Sequence, residues 1–132
     1  MRAVTVPVSY GEAADKLTIL AIKSERLRDP AQLANVRKEH ALLEAALFGA
    51  IERPADFDTL FAKLKSVNET LWGIEDDIRR HEARGDFGES FVRLARAVYQ
   101  NNDERAAIKR AINKLLGSEL NEEKSYGRFL GA

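Results

Sequence analysis

Residues 57–84 read FDTLFAKLKSVNETLWGIEDDIRRHEAR, residues 85–88 read GDFG, and residues 89–116 read ESFVRLARAVYQNNDERAAIKRAINKLL. In both long segments apolar residues recur at alternating spacings of three and four, which is typical of an amphipathic helix with one buried side. The short connection between them is polar and contains two glycines, so the two helices are predicted to run antiparallel as a hairpin. We expect the rest of the chain to be organised around this hairpin.

Two more helices are predicted before the hairpin. Residues 9–12 read SYGE and fit the capping box, in which the serine accepts from the third helical amide and the glutamate reaches back. This first helix is apolar on two sides, so it is predicted to be packed on two sides. Asp29 and Pro30 suit the start of the second helix, which is predicted to stop where Gly49 takes a left-handed conformation.

These patterns predict an all-α fold, a four-helix bundle-like domain built on the long antiparallel hairpin. With 45% hydrophobic and 32% charged residues the chain can bury a core, and residues 1–132 are expected to form one domain. Residues 1–8 are rich in β-branched side chains around Pro7 and are predicted to form an extended lead-in. Residues 118–132 are predicted to be a partly flexible tail.

Composition argues against several classes of function. The 21 basic and 21 acidic residues cancel, whereas a dedicated nucleic-acid binder usually carries a basic excess. The absence of cysteine excludes a disulfide framework, a thiolate zinc site and a cysteine nucleophile. There is no signal-like segment and no run approaching the roughly 18 apolar residues of a membrane span. We therefore expect a cytoplasmic protein with no nucleic-acid or membrane partner, no metal and no cofactor.

A candidate site is suggested by polar residues beside the apolar side of the third helix. Phe61, Asn68 and Trp72, the only tryptophan, form a stripe that falls within an arc of roughly 40° on a helical wheel. If the hairpin is symmetric about its turn, part of the fourth helix lies level with this stripe, and the first turns of helix one are near enough to cover it. We predict one polar cluster at the junction of helices one, three and four, made by seven residues: Tyr10, Asp15, Trp72, Glu75, Arg79, Tyr99 and Asn102.

Two interpretations of this cluster are open. Carboxylates, cations and aromatic walls together suit a small polar or anionic ligand. Alternatively, the cluster is a structural polar plug in which every group is paired, since Asp15 is expected to be partly buried and then needs a partner on another helix.

Gly73, inside the third helix, is predicted to allow another backbone to approach closely, because glycine there otherwise costs about 1 kcal/mol.

Four pieces of the chain carry a family resemblance. They are PVSYGE at 7–12, DKLTIL at 15–20, LWGIEDDIR at 71–79 and NDER at 102–105. In these pieces, and over nearly its whole length, the chain resembles an uncharacterised bacterial family of short all-helical proteins. The resemblance implies no activity, cofactor or catalytic residue.

Two classes of function follow. Heptad-like spacing and a long hairpin favour a protein-interaction or ligand-binding module. Its partner would be a second copy of the chain, in a homo-oligomer such as a homodimer, or another helical protein. The alternative is an enzyme acting on a small anionic metabolite. Arginine, lysine and glutamate in a helical bundle resemble, by residue type only, the active sites of all-helical chorismate mutases, which stabilise a rearranging dianion electrostatically. No motif of those enzymes matches residue by residue, so no catalytic residue is assigned.

Overall fold

The computed structural model describes residues 2–125, which fold into four helices and contain no strand. The helices are α1 (Tyr10–Arg26), α2 (Pro30–Ala50), α3 (Ala55–Arg84) and α4 (Glu89–Leu116). The predicted all-α, bundle-like fold is confirmed. The lead-in, where described, has neither helix nor strand. The prediction of a flexible tail falls in part on residues 126–132, which lie outside the described residues.

The hairpin of α3 and α4 closes through a left-handed glycine. Gly85 has φ 66° and donates its N–H to the carbonyl of Glu82 at 3.0 Å, while Asp86 donates to the carbonyl of His81 at 2.9 Å. These bonds satisfy carbonyls that would otherwise be left unpaired at the helix end. Gly117, with φ 67°, ends α4 in the left-handed conformation as well. The predicted antiparallel hairpin is confirmed, and each of its two helices ends at a left-handed glycine.

The central element of the packing is α1, which contacts each of the other three helices. Leu17, Leu20 and Ile22 are all buried, so the prediction of a helix packed on two sides is confirmed. The second helix runs along α1, and its last turn reaches the hairpin where Phe48 meets the ring of Phe57 edge-on at 5.9 Å. Burial of a leucine-sized side chain contributes about 1.5–3 kcal/mol.

Two predicted helix ends differ from the structure. Ser9 Oγ accepts from the N–H of Glu12 at 3.0 Å as expected, but the carboxylate of Glu12 turns to Lys109 Nζ on α4 at 2.6 Å. The second half of the capping box is thus replaced by an ion pair between helices. Helix α2 ends at Ala50, one residue beyond the predicted stop, but the left-handed conformation predicted for Gly49 is wrong, because the glycines with positive φ within residues 2–125 are Gly85 and Gly117.

The hairpin is longer than the helix that covers it. With 30 and 28 residues, α3 and α4 far exceed the 17 residues of α1. The last turn of α1 meets α3 at Glu69 and Trp72, both through Arg26. Residues 73–84 of α3 continue beyond this point for about 18 Å at 1.5 Å per residue, and with the facing part of α4 they form a projecting arm. No helix within residues 2–125 combines the length and apolarity needed to cross a membrane.

Candidate functional site

Asp15 is the centre of a buried polar network between α1, α3 and α4. Its side chain is 2% exposed, and Oδ1 accepts from Arg105 Nε at 2.8 Å and from Asn68 Nδ2 at 2.9 Å. The second oxygen accepts from Arg105 Nη2, so the guanidinium and carboxylate form a two-bond fork. Asn68 Nδ2 also donates to Thr18 Oγ1 at 2.8 Å, and this hydroxyl donates to the carbonyl of Asp15 at 2.7 Å.

The charges in this network compensate each other. The hydrogen bond to Asp15 raises the pKa of Arg105 above its ordinary value, against the opposing effect of burial. Arg105 is therefore held as a cation whose charge Asp15 offsets. Removing either partner would leave the other as an uncompensated charge in a poorly solvated place. The remaining donor, Arg105 Nη1, has only a long contact of 3.4 Å to Asn102 Oδ1.

A close backbone approach fixes where α1 crosses α4. The N–H of Gly11 donates to Asn113 Oδ1 at 2.6 Å. A Cβ on Gly11 would lie 2.5 Å from the backbone oxygen of Lys109, so only glycine fits there without a shift. The Glu12–Lys109 ion pair joins the same two helices, one residue further along α1 and one turn earlier on α4. Together the two contacts set the position of α1 along α4 that brings Asp15 to Arg105.

Beside the network lies an open groove of about 460 Å³, here called the Trp72 groove. Its walls are apolar, and they come from all three helices: Ile19, Ile22, Leu71, Trp72 and Val98. Its base is formed by amide and guanidinium groups of the polar network, and its exposed rim by charged residues of α3: Glu75, Asp76 and Arg79. This volume lies within the range of about 300–1,000 Å³ that is usual for ligand pockets.

The indole of Trp72 is held by α1 as well as by its own helix. The guanidinium of Arg26 lies 5.9 Å from the centre of its ring and 3.9 Å from the carboxylate of Glu69. At the rim, Arg79 Nε lies 3.5 Å from the carboxylate of Glu75, one turn away on the same helix. Asp76, by contrast, has no hydrogen bond or ion pair within residues 2–125.

The structure brings together five of the seven predicted residues. Trp72, Glu75, Arg79 and Asn102 line the groove, and Asp15 lies beneath it through its fork with Arg105. The predicted junction of helices one, three and four is where this groove lies. Whether these residues bind a ligand stays a prediction.

Tyr10 and Tyr99 do not belong to this set. Tyr10 lies about 140° around α1 from Asp15 at 100° per residue, so it turns away and borders a separate hollow with Arg53 and Leu116. Tyr99 lies roughly 60° around α4 from Asn102 and is 56% exposed. Tyr99 was predicted from its level along the hairpin, which matches that of Trp72. Its direction around α4 is different, so its side chain does not face the groove.

The seven predicted site residues left out two partners that complete the network, Asn68 and Arg105. Asn68 belongs to the same stripe as Trp72 and carries an amide, which was a signal that it could share the site. Arg105 interrupts an apolar helical pattern, which was a signal of a buried partner. Gly11 was interpreted only as part of the capping box. The close approach of another backbone was predicted at Gly73 instead. That prediction is wrong, since a Cβ on Gly73 would have nothing within 4 Å.

The described residues offer no evident place for a metal ion, since no three histidine or carboxylate side chains within residues 2–125 converge. The chemistry of the groove is that of apolar contact, with an indole on one wall and charged groups at the rim. Such a lining selects by shape and apolarity first and by charge second.

The fold and the site therefore define a four-helix protein with a projecting helical hairpin and an open groove at its base. Residues 4–131 match the family of unknown function DUF6165, and the chain belongs to that family. No curated protein and no solved structure matches the chain.

Proposed function

We propose that this protein is an interaction module that binds a helical segment of a partner protein in the Trp72 groove. The observation that carries the proposal is the contrast between the walls and the base of the groove. The walls are apolar and open, whereas the polar groups Asp15, Asn68 and Arg105 at its base are engaged with one another. What is left for a partner to contact is chiefly apolar surface.

The groove fits a helix better than an extended strand. It is lined from Asn68 to Arg79 along α3, a span of about 16 Å or three helical turns. The open side of the groove is bordered by α3 and α4. An added helix would therefore pack against these two helices, as α1 does. Apolar residues at spacings of three and four would then face Leu71, Trp72 and Val98.

The rim adds a charge preference. Asp76 borders the groove and is unpaired within the described chain, whereas the charges of Glu75 and Arg79 offset each other. A partner helix with a lysine or arginine beside its apolar residues would therefore complement the rim. Such a rim pair contributes modestly to affinity and more to the choice of partner.

The test uses the emission of Trp72, the only tryptophan. One probe is a synthetic amphipathic helix of about four turns with leucines on one face and lysines at its border, and the matched probe replaces the lysines by glutamates. We expect a saturable change with the lysine peptide and weaker binding of the glutamate peptide. Val98→Asp should abolish binding, whereas Val92→Asp on the same helix, outside the groove, should not.

A second candidate, a small anionic ligand, is supported by two cationic groups. Arg105 Nη1 has no partner closer than 3.4 Å among the described residues, and Arg79 is a highly exposed cation at the rim. The same fluorescence assay with dicarboxylates and inorganic phosphate tests this candidate. Binding of these anions that is lost in Arg79→Gln, without binding of either peptide, would favour the small ligand and the enzyme alternative over the interaction module.

A further inference from the structure

A second surface of α4 is used neither by the core nor by the Trp72 groove. Val92 and Tyr99 are 41% and 56% exposed, and they follow each other at a spacing of seven residues, with Ala106 seven residues further on. Residues seven apart lie almost on one line along a helix, which is the spacing of a coiled-coil contact. We call the line of Val92, Ala95, Tyr99 and Ala106 the α4 stripe.

Four charged residues run beside the α4 stripe with the same spacing. They are Glu89, Arg96, Asp103 and Arg110, each seven residues after the last, and their signs alternate along the helix. All four are exposed. None of them forms an ion pair or a side-chain hydrogen bond within the described part of the chain. Four evenly spaced charges of alternating sign are thus available to a partner along one flank of α4.

The order of these charges is self-complementary. If a second α4 lies antiparallel with its midpoint at residues 99–100, Glu89 comes level with Arg110 of the second copy. Arg96 comes level with Asp103 of the second copy, because both pairs are symmetric about the same midpoint. A two-fold axis repeats each pair, so four opposite-charge contacts form. A parallel copy in register would instead place equal charges at the same level.

We propose that a second copy of this chain packs antiparallel on the α4 stripe and forms a symmetric dimer whose two-fold axis passes beside Tyr99. A two-fold contact uses the same surface of both copies and must complement itself. The apolar line and the charged flank share one centre, since Tyr99 lies midway between Val92 and Ala106. Binding of a different protein would not require the charges of α4 to be arranged symmetrically, with opposite signs, about a single point.

The proposal does not depend on the Trp72 groove, because the residues at the centre of the α4 stripe do not line it. In the dimer, Tyr99 of each copy would contact the other copy near the axis and lose its exposure. Val92 at the arm end of the stripe would meet the second copy near Ala106.

Sedimentation equilibrium of the full chain and its charge variants tests the proposal. The wild type is expected to approach twice the chain mass of 14.8 kDa as concentration rises. Arg96→Glu alone should raise the dimer dissociation constant about tenfold or more, because it faces Asp103 with a like charge twice in the dimer. Asp103→Arg alone should do the same. The double variant Arg96→Glu with Asp103→Arg restores opposite pairs and should dimerise almost as the wild type does.

Cysteine cross-linking adds a test of geometry, since the natural chain has no cysteine. Tyr99→Cys should form a disulfide-linked dimer under mild oxidation, because the two positions meet at the axis. Glu104→Cys, on another side of the same helix, is the matched control and should cross-link far more slowly. A wild type that stays monomeric at high concentration, a double variant as weak as the single ones, or equal cross-linking at both positions would each overturn the proposal.

Discussion

Asp15 and Arg105 are ninety residues apart in the chain, and their side chains form a forked ion pair beneath the Trp72 groove. The pair connects the middle of α1 to the part of α4 from which the arm begins. Because Asn68 completes the network from α3, one buried carboxylate fixes three helices relative to each other. The groove depends on this arrangement, since its walls come from the same three helices.

Arg105→Ala is expected to lower the free energy of unfolding by about 3–5 kcal/mol, because it leaves Asp15 buried without its cation. Arg105→Lys keeps the charge but loses the fork, and about 1–3 kcal/mol should be lost. Urea denaturation measures both. A loss below about 0.5 kcal/mol in Arg105→Ala, the range of a surface site, would show that the pair does not hold the helices together.

The stabilising charge of Arg105 should not fade at moderately alkaline pH. Its pKa is raised by the hydrogen bond to Asp15, so its contribution is fully present below the ordinary arginine pKa and is lost only as pH rises through the raised value. The difference in stability between the wild type and Arg105→Ala should therefore be the same at neutral and at mildly alkaline pH. A steady decline of that difference over this range would contradict the assignment.

Gly11→Ala and Gly73→Ala should have opposite effects on stability. At Gly11 the new Cβ meets the backbone of Lys109 at 2.5 Å, and relieving such an overlap costs about 1–3 kcal/mol. At Gly73 the space is open, and alanine inside a helix stabilises by roughly 0.5–1 kcal/mol. Thermal unfolding of the two variants compares them directly. Equal effects would show that α1 does not approach α4 closely at Gly11.

Leu20→Ala should cost about 2–5 kcal/mol, as other large-to-small substitutions in a core do. Leu20 is 4% exposed on the α1 helix, whereas Leu42 on α2 is 44% exposed. Leu42→Ala is therefore the matched control, with an expected change within about 0.5 kcal/mol. Similar losses in the two variants would place α1 at the edge of the fold rather than at its centre.

The helical pattern predicted the hairpin because it depends only on local spacing and on two glycine ends. The same reasoning placed Trp72, Glu75 and Arg79 on one side of α3, where they line the groove. Direction around a single helix is local information, so it could be read from spacing. The position of one helix against another depends on tertiary contacts, and the structure places Tyr10 and Tyr99 away from the groove.

Gly11 and Gly73 show the same limit. Both are helical glycines, and nothing in their immediate sequence says which one faces another helix. Only the crossing of α1 over α4 makes Gly11 indispensable. In a similar way, Glu12 had two candidate partners, the backbone at Ser9 and a distant lysine, and the fold brought Lys109 within 2.6 Å. Long-range electrostatics decided between two locally acceptable arrangements.

Trp72→Phe and Glu75→Gln should leave the melting temperature almost unchanged, because Trp72 is half-buried and Glu75 is exposed on the rim. Trp72→Phe should weaken binding of the lysine peptide, followed by calorimetry because the fluorophore is lost. A large drop in melting temperature with unchanged binding would instead identify Trp72 as part of a structural plug.

The central claim is that the apolar groove binds a partner helix while the polar network holds the groove in shape. Its most direct test is a chemical-shift titration with the lysine-bordered helical peptide. The single indole N–H signal of Trp72 and the Nε–H signal of Arg105 report the groove and the network separately. We predict that the indole signal shifts saturably, together with the amides near Ile22 and Val98, while the Arg105 signal stays in place. Movement of the Arg105 signal with a silent indole, or no movement of either, would contradict the account.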